Sequence, residues 1–462
     1  MGLGRADPAS KAGPVALPPV PSRRILRFVP AAALIVVLLA VAAGLLPLVV
    51  PGGLFERDAS RLAAGVIFVA SLVALAVGRV PGLAIDRAGV ALVGAALMVA
   101  CGALPLDDAY RAVDLDTLTL LLGMMILVAN LRLSGFFAIA GGWVMRRAHR
   151  PLALLAAIAA VAGMFSAFLV NDAVCLVLAP LVIELTLTLR RNPLPYLLAV
   201  AMASNIGSTA TITGNPQNMM IGSLSGISYV SFAVTLAPVA LCGLMLTVTL
   251  IALLHRREFA GGTQLTAPPA PARFHGVLIW RALAATLLVV ALFFAGQPPA
   301  KVAIIVGGLL LLTRRVRSAR VYAQIDWSLL LMFAGLFIIV AGAERSLLSG
   351  EVITAAGRLQ LDRLPVLSAL TVILSNLISN VPAVVVLRPF VDSLHDPERA
   401  WLTVAMASTL AGNLTVLGSI ANLIVVQRAA ASGVVIGLWD YCRVGVPLTL
   451  LTLLIGTFWL ST

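Results

Sequence analysis

Long apolar runs follow one another along nearly the whole chain, and short clusters of arginine separate them. The run from Val29 to Val50 is an example, with Arg23, Arg24 and Arg27 just before it. About 20 apolar residues in a helix cross a bilayer, and a spanning segment must satisfy its own backbone hydrogen bonds. The sequence therefore predicts an all-α polytopic membrane protein with about 11 transmembrane helices.

Composition excludes two other classes of protein. Hydrophobic residues make up 61% of the chain and charged residues 11%, whereas soluble domains have roughly 45–50% and about 25%. The net charge of +13 comes from arginines in loops, which is typical of the positive-inside rule and not of a phosphate-binding face. We expect the lipid bilayer and no nucleic acid as a partner, no disulfides, no resident cofactor and no enzyme, since no catalytic motif is present.

The arginine clusters also predict the order of segments. Residues 1–27 are rich in Pro, Ala and Gly and are expected to form a disordered cytoplasmic tail, followed by a first transmembrane helix at 28–55. Residues 261–275 would be a cytoplasmic linker. The arginines before the first transmembrane helix place the N-terminus inside, and alternating sides from that helix places the C-terminus outside. The membrane is expected to be the cytoplasmic (inner) membrane of the cell.

Three sequence patterns occur twice, in the same order and at nearly constant offsets. The matched pairs are Leu115–Met124 with Ile325–Ala334, Phe168–Asp172 with Leu377–Val381, and Val200–Ser204 with the identical Val404–Ser408. They divide the chain into repeat 1 at 56–260 and repeat 2 at 276–462. Asp116 falls outside in the predicted topology and its counterpart Asp326 inside, so the repeats are expected to be inverted.

Each repeat contains one helix that the sequence interrupts, at about 195–225 and about 399–428. Pro216 cannot continue a helix, and Asn215 before it is suited to cap a new one. In the second repeat Ser419 takes the position of the cap. Paired breaks of this kind at membrane depth are the usual sign of a transport site.

Each repeat also contains a segment that must enter and leave from one side, which predicts re-entrant hairpins at about 151–189 and about 364–392. The first tip is Asn171-Asp172, expected to cap the second arm, and the other tip is Ser379-Asn380. Four helix N-termini would then converge, each with about half a positive charge and free N–H groups. This arrangement suits an anion or an oxygen-rich solute.

The residues at these breaks and tips are the candidate binding residues. They are Asn171, Asp172, Ser204, Asn205, Thr211, Thr213, Gly214, Asn215, Asn218, Ser379, Asn380, Thr415, Gly418, Ser419 and Asn422. A sodium site at Asn171, Asp172 and Gly214 is a further expectation. The alternative is that the asparagines only join helices by hydrogen bonds, whereas a carboxylate at membrane depth, as in Asp172, is usually functional.

At these motifs the sequence resembles the ion transporter superfamily, over nearly everything after residue 55. That group includes arsenite permeases, sodium/proton antiporters, citrate–metal transporters and divalent-anion:sodium symporters. The stretch Asp116–Ile126 and the tip Asn171-Asp172 are similar to the arsenite permease branch, and Gly214–Asn218 to uncharacterised anion permeases. The resemblance implies a transporter fold with an ion-coupled small solute as substrate.

These observations together predict a secondary active transporter. It would move a small inorganic or organic anion or oxyacid, arsenite-like or a carboxylate, by alternating access, with a proton or a sodium ion as the coupling ion. A sodium/proton antiporter of the same fold and an anion channel are the alternatives. A homodimer is a possible assembly.

Overall fold

The computed structural model describes residues 41–42, 56–77, 84–137, 139, 150–260, 276–313, 316–347 and 359–462. Within these ranges the regular structure is helical throughout, as the sequence predicts. The predicted tail at 1–27 and linker at 261–275 lie outside the described residues, as does nearly all of the predicted first transmembrane helix at 28–55.

Nineteen α-helices and two short 3₁₀ turns are present in the described part of the chain. The helices are α1 (Glu56–Val77), α2 (Arg87–Ala100), α3 (Leu106–Ala112), α4 (Leu115–Ser134), α5 (Pro151–Phe168), α6 (Asn171–Thr188), α7 (Pro193–Ser208), α8 (Pro216–Ser225), α9 (Tyr229–Leu254), α10 (Arg256–Phe259), α11 (Gly276–Phe294), α12 (Pro299–Leu311), α13 (Ser318–Tyr322), α14 (Trp327–Leu347), α15 (Leu364–Ile378), α16 (Asn380–Val391), α17 (Pro397–Ala411), α18 (Ile420–Ala431) and α19 (Leu438–Ser461).

Eight of these helices are long and apolar enough to cross a membrane, and five shorter apolar helices accompany them. The shorter ones include α2, α12 and both arms of the second hairpin. The protein is therefore a polytopic membrane protein. The number of 11 spans and the side on which each loop lies stay predictions.

Two helical hairpins occur in the described chain. In the first, α5 and α6 are joined by the extended residues Leu169 and Val170, and in the second, α15 and α16 meet at Ser379. The expectation that Asn171-Asp172 caps the second arm is wrong in detail. The N-cap of α6 is Val170, which has no capping side chain, and Asn171 is already the first helical residue.

Each hairpin is followed by a helix in two pieces. Helix α7 ends at Ser208, a 3₁₀ turn occupies Ile212–Gly214, and α8 begins at Pro216. Helix α17 ends at Ala411, a 3₁₀ turn occupies Val416–Gly418, and α18 begins at Ile420. Proline at the first position of α8 needs no N–H partner there, so the new half-helix starts at this residue.

The two halves of the chain are interleaved through α2 and α12. Helix α2, from the first half, packs on α14 of the second, and α12 packs on α4 of the first. Glycines allow this close approach. A Cβ added to Gly335 would lie 2.6 Å from the carbonyl carbon of Ala91, and one added to Gly123 would lie 2.4 Å from that of Ala303. The helix backbones touch at both places.

Candidate functional site

The backbone at the two helix breaks is nearly the same. Thr211 and Thr415, which precede the 3₁₀ turns, are both extended, with φ of −142° and −138°. Asn215 Oδ1 accepts the backbone N–H of Asn218 at 2.8 Å, and Ser419 Oγ accepts that of Ala421 at 3.2 Å. Both half-helices therefore begin with a capped N-terminus whose remaining N–H groups are free for a ligand.

Asn205, on α7 of the first half, joins the second-half break to the first hairpin tip. Its Nδ2 donates to Asn413 Oδ1 at 2.9 Å and to Asn422 Oδ1 at 3.0 Å. Its Oδ1 accepts from Asn171 Nδ2 at 3.1 Å and from Ser419 Oγ at 3.0 Å. All four of its hydrogen-bonding positions are thus used within the protein.

Thr409, on α17 of the second half, stands in the equivalent relation to the first break. Its hydroxyl accepts from Asn215 Nδ2 at 3.1 Å and from Gln217 Nε2 at 3.4 Å, and it donates to Asn218 Oδ1 at 3.3 Å. Thr409 lies 204 residues after Asn205, the offset of the identical sequence repeat before them. Each half therefore supplies a side chain that holds the break of the other half.

The first hairpin tip is fixed by hydroxyl groups from neighbouring segments. Ser204 Oγ bonds to Ser166 Oγ at 2.7 Å and donates to the Asn171 carbonyl at 3.2 Å. Thr211 Oγ1 donates to the carbonyl of Ala167. Thr213 Oγ1 bonds to the hydroxyl of Tyr229 at 2.9 Å. Ser204 and Thr211 therefore position the first hairpin, whereas Thr213 holds the first 3₁₀ turn against α9.

One cavity is bordered by the N-terminal ends of four helices, which are the second hairpin arms α6 and α16 and the half-helices α8 and α18. Its wall includes Asn171 and Asp172 of α6, Pro216 and Gln217 of α8, Asn380 of α16, and Ser419 and Ile420 around the start of α18. Its volume is about 40 Å³. A water molecule needs roughly 10–15 Å³ on this scale, so the space holds about three waters or a solute of that size.

Two amide oxygens on this wall have no hydrogen-bond partner in the described structure. They are Oδ1 of Asn171 and Oδ1 of Asn380, one from each hairpin tip. Asn171 is 4% exposed. A buried acceptor without a partner is unfavourable by about 1–3 kcal/mol, so a ligand that donates hydrogen bonds would be bound favourably.

The orientation of the Asn171 amide follows from its neighbours. Asn422 Nδ2 must be the donor group, because it contacts two backbone carbonyls, Gly412 O at 2.6 Å and Thr415 O at 3.2 Å. Its Oδ1 is then an acceptor, so the group of Asn205 that meets it is the NH₂. Asn205 therefore presents its oxygen to Asn171, which must donate through Nδ2. The free group of Asn171 is the acceptor.

The predicted site residues fall into two sets. Asn171, Asp172, Ser379, Asn380 and Ser419 line the cavity. The others form the supporting network or the backbone of the breaks and are not on the wall; they are Ser204, Asn205, Thr211, Thr213, Gly214, Asn215, Asn218, Thr415, Gly418 and Asn422. Since Gly214 is in this second set, the three residues of the predicted sodium site do not share one wall.

Sequence reasoning missed several residues of the site, among them four polar ones that line the cavity or hold the helix breaks. Arg87 and Gln217 line the cavity, and Asn413 and Thr409 belong to the network. Thr409 could have been found, because it stands at the repeat offset from the selected Asn205. Arg87 was not selected, because nothing local to it in sequence indicates the cavity.

Comparison with known proteins places this architecture among transporters. The citrate transporter family model (CitMHS) matches residues 66–411. The chain is 28% identical to the 46 kDa membrane protein of Mycobacterium leprae, over 85% of this chain and 96% of that protein. It is 28% identical to the silicon efflux transporter LSI3 of Oryza sativa subsp. japonica, over 82% of this chain and 93% of that one.

A solved structure supports the same fold. The YdaH transporter of Alcanivorax borkumensis, described as having an unusual topology, superimposes with a TM-score of 0.55 at 17% sequence identity. The match covers 87% of this chain and 97% of that one. With the family match over residues 66–411, these findings show that the chain is a membrane transporter that belongs to the citrate transporter (CitMHS) family of the ion transporter superfamily.

Proposed function

We propose that the protein is a secondary active transporter of a small inorganic oxyacid or oxyanion, which it moves across the cytoplasmic membrane by alternating access. The observation on which this depends is the cavity where four helices begin. Free N–H groups at helix starts bind oxygen atoms and negative charge. The unpartnered oxygens of Asn171 and Asn380 bind O–H groups. A hydroxylated oxyacid offers both.

The size of the cavity supports an inorganic solute. A cavity of about 40 Å³ can hold a solute with a few heavy atoms. Among the relatives, LSI3 is named a silicon efflux transporter, and silicon in water exists as a small hydroxylated acid. We therefore favour a metalloid or phosphorus oxyacid over a tricarboxylate as the substrate of this chain.

We further propose that Asp172 is the coupling group. It lines the cavity, beside the backbone N–H of Ala421 at the start of α18, and the carboxylate of Asp326 also lies near it. Carboxyl groups inside a membrane protein commonly act as proton relays. The second hairpin has Val381 at the matching position, so the two tips differ in charge. A single titrating group at one tip would couple one proton to each solute.

Reconstitution into proteoliposomes tests both statements. Arsenous acid, silicic acid, phosphate, arsenate, sulfate and citrate would be offered under an imposed pH gradient and, separately, a sodium gradient. We expect accumulation of at least one small oxyacid and none of citrate. Accumulation of citrate alone, or of none of these solutes, would contradict the proposed substrate class, and sodium/proton exchange without solute would favour the antiporter.

The variant Asp172→Asn isolates the coupling step, because it keeps the shape of the side chain and removes its titration. We expect solute exchange at near-normal rates and loss of pH-driven accumulation. Asp326→Asn is the matched control, since it removes the neighbouring carboxylate and should leave accumulation intact. If accumulation by Asp172→Asn equals that of the parent, the coupling group is elsewhere.

A further inference from the structure

Among the described residues, Arg87 is the one cation on the cavity wall, and it comes from neither a hairpin nor a broken helix. It is the first residue of α2, and the wall beside it is completed by Leu329 and Met332 of α14. The side chain is half-buried. No ion pair or hydrogen bond joins its guanidinium to any described residue, and neither Asp86 nor Asp172 lies within ion-pair distance.

A half-buried guanidinium without an acceptor is an unusual arrangement. Withdrawing a charge from water is unfavourable unless a partner replaces the water. Arginines at helix ends often extend toward the membrane interface instead, but this one borders the space where α6, α8, α16 and α18 begin. Guanidinium groups form their strongest hydrogen bonds with oxyanions, which they meet with two parallel N–H donors.

Arg87 needs a hydrogen-bond acceptor on the solute, whereas the hairpin tips need a hydrogen-bond donor. Asn171 Oδ1 is fixed as an acceptor by the network behind it, and Asn380 Oδ1 is also without a partner. A fully deprotonated oxyanion has no hydrogen to give these oxygens. A neutral oxyacid has no charge to give Arg87. Only a solute with both an O⁻ and an O–H group satisfies the two sides of the wall.

We propose that Arg87 pairs with the negative charge of the transported solute, which makes the substrate a partly protonated oxyanion of the dihydrogen phosphate or dihydrogen arsenate type. This inference rests on the proposed function and narrows it from small oxyacids in general to charged ones. Arg87 is then the residue that determines selectivity for charge, while Asn171 distinguishes protonated from deprotonated oxyanions.

The test compares Arg87→Gln and Arg87→Lys with Lys301→Gln in proteoliposomes. Lys301 is an exposed cation near the start of α12, the helix of the second half that corresponds to α2 in its packing. Replacing Lys301 with Gln removes one positive charge, as Arg87→Gln does. Initial rates of phosphate, arsenate, sulfate and arsenous acid uptake would be measured at pH 7, with size-exclusion profiles to verify folding. Arsenous acid is the neutral probe.

We expect Arg87→Gln to raise the KM for phosphate or arsenate about tenfold or more, as loss of a charge-assisted hydrogen bond implies, with kcat changed less than twofold. Arg87→Lys should fall between this variant and the parent, Lys301→Gln should behave like the parent, and sulfate should compete poorly. An unchanged KM in Arg87→Gln would overturn the proposal. Transport of arsenous acid without either anion would overturn it too, yet leave the proposed oxyacid transporter standing.

Discussion

The two halves of the site share a backbone plan and differ in how completely the protein encloses them. At the first break, every residue from Asn205 to Ile221 is buried. At the second break Leu417 is 77% exposed. Asn215 and Asn218 of the first break also bond to neighbours on two sides. The first half is therefore the fixed wall of the site.

The two hairpin tips also differ, because the first is held more firmly by its neighbours than the second. Asn171 is buried and joined to the network through its side chain and its carbonyl. Asn380 has no side-chain hydrogen bond among the described residues, and Ser379 before it has φ of 79° and ψ of 158°. That conformation is nearly restricted to glycine and is unfavourable by roughly 1–3 kcal/mol. The second tip is thus the part of the wall that is least restrained.

The largest expected contrast is between Gly214→Ala and Gly418→Ala. A Cβ at Gly214 would lie 2.2 Å from the carbonyl oxygen of Ser208, whereas at Gly418 the nearest atoms are two carbonyl oxygens at 3.0 Å. Overpacking against rigid backbone destabilises by about 1–3 kcal/mol or more. Gly214→Ala should lose most of its folded yield in fluorescence size-exclusion chromatography and Gly418→Ala only a part. Equal losses would show that the two breaks are equally rigid.

The next contrast is between Asn205→Ala and Thr409→Ala, which remove equivalent residues of the two halves. Asn205→Ala leaves three buried side-chain atoms without a partner, which are Nδ2 of Asn171 and the Oδ1 atoms of Asn413 and Asn422. Ser419 keeps its bond to the Ala421 N–H. Thr409→Ala leaves mainly Asn218 Oδ1, because Asn215 keeps its bond to Ser208. We expect Asn205→Ala to lower the free energy of unfolding by at least about 2 kcal/mol. Its melting temperature should therefore fall several times more than that of Thr409→Ala.

A smaller effect of opposite sign is expected at the second tip. Ser379→Gly removes the unfavourable φ and should stabilise the protein by about 1 kcal/mol, after the greater freedom of glycine in the unfolded chain is subtracted. Val170→Gly is the matched change at the first tip, where φ is an ordinary −60°, and it should destabilise. Melting temperatures in detergent would show this, and a decrease in both variants would contradict the strain at Ser379.

The smallest effect on the protein is expected from single cysteines that test whether the two repeats have inverted topology. Single cysteines at positions 108 and 318, in a background without the four native cysteines, should be labelled from opposite sides of the membrane. We expect position 108 to react from outside and position 318 from inside, with little change in transport. Labelling of both from the same side would mean that the repeats are not inverted.

The local features of the fold were predictable because single residues determine them. Pro216 forces the break of α7 and α8, and the matched repeat indicates its counterpart at Ser419. What the sequence did not reveal depends on contacts between the halves. Thr409 acts on a break almost 200 residues away in the chain, and Arg87 reaches the cavity only because α2 packs on α14. No periodicity or spacing near Arg87 contains that information.

The exchange of α2 and α12 between the halves has a consequence for biosynthesis. Ala100 and Trp327 are 227 residues apart in sequence, so α2 leaves the ribosome long before α14, the helix it packs against, has been made. At 14 residues it is about 21 Å long, shorter than the roughly 30 Å hydrocarbon layer. Until α14 arrives, α2 must be held by α1 or by the insertion machinery. The first half expressed alone should therefore be a substrate for membrane quality control, and rescue should require synthesis of the second half in the same membrane.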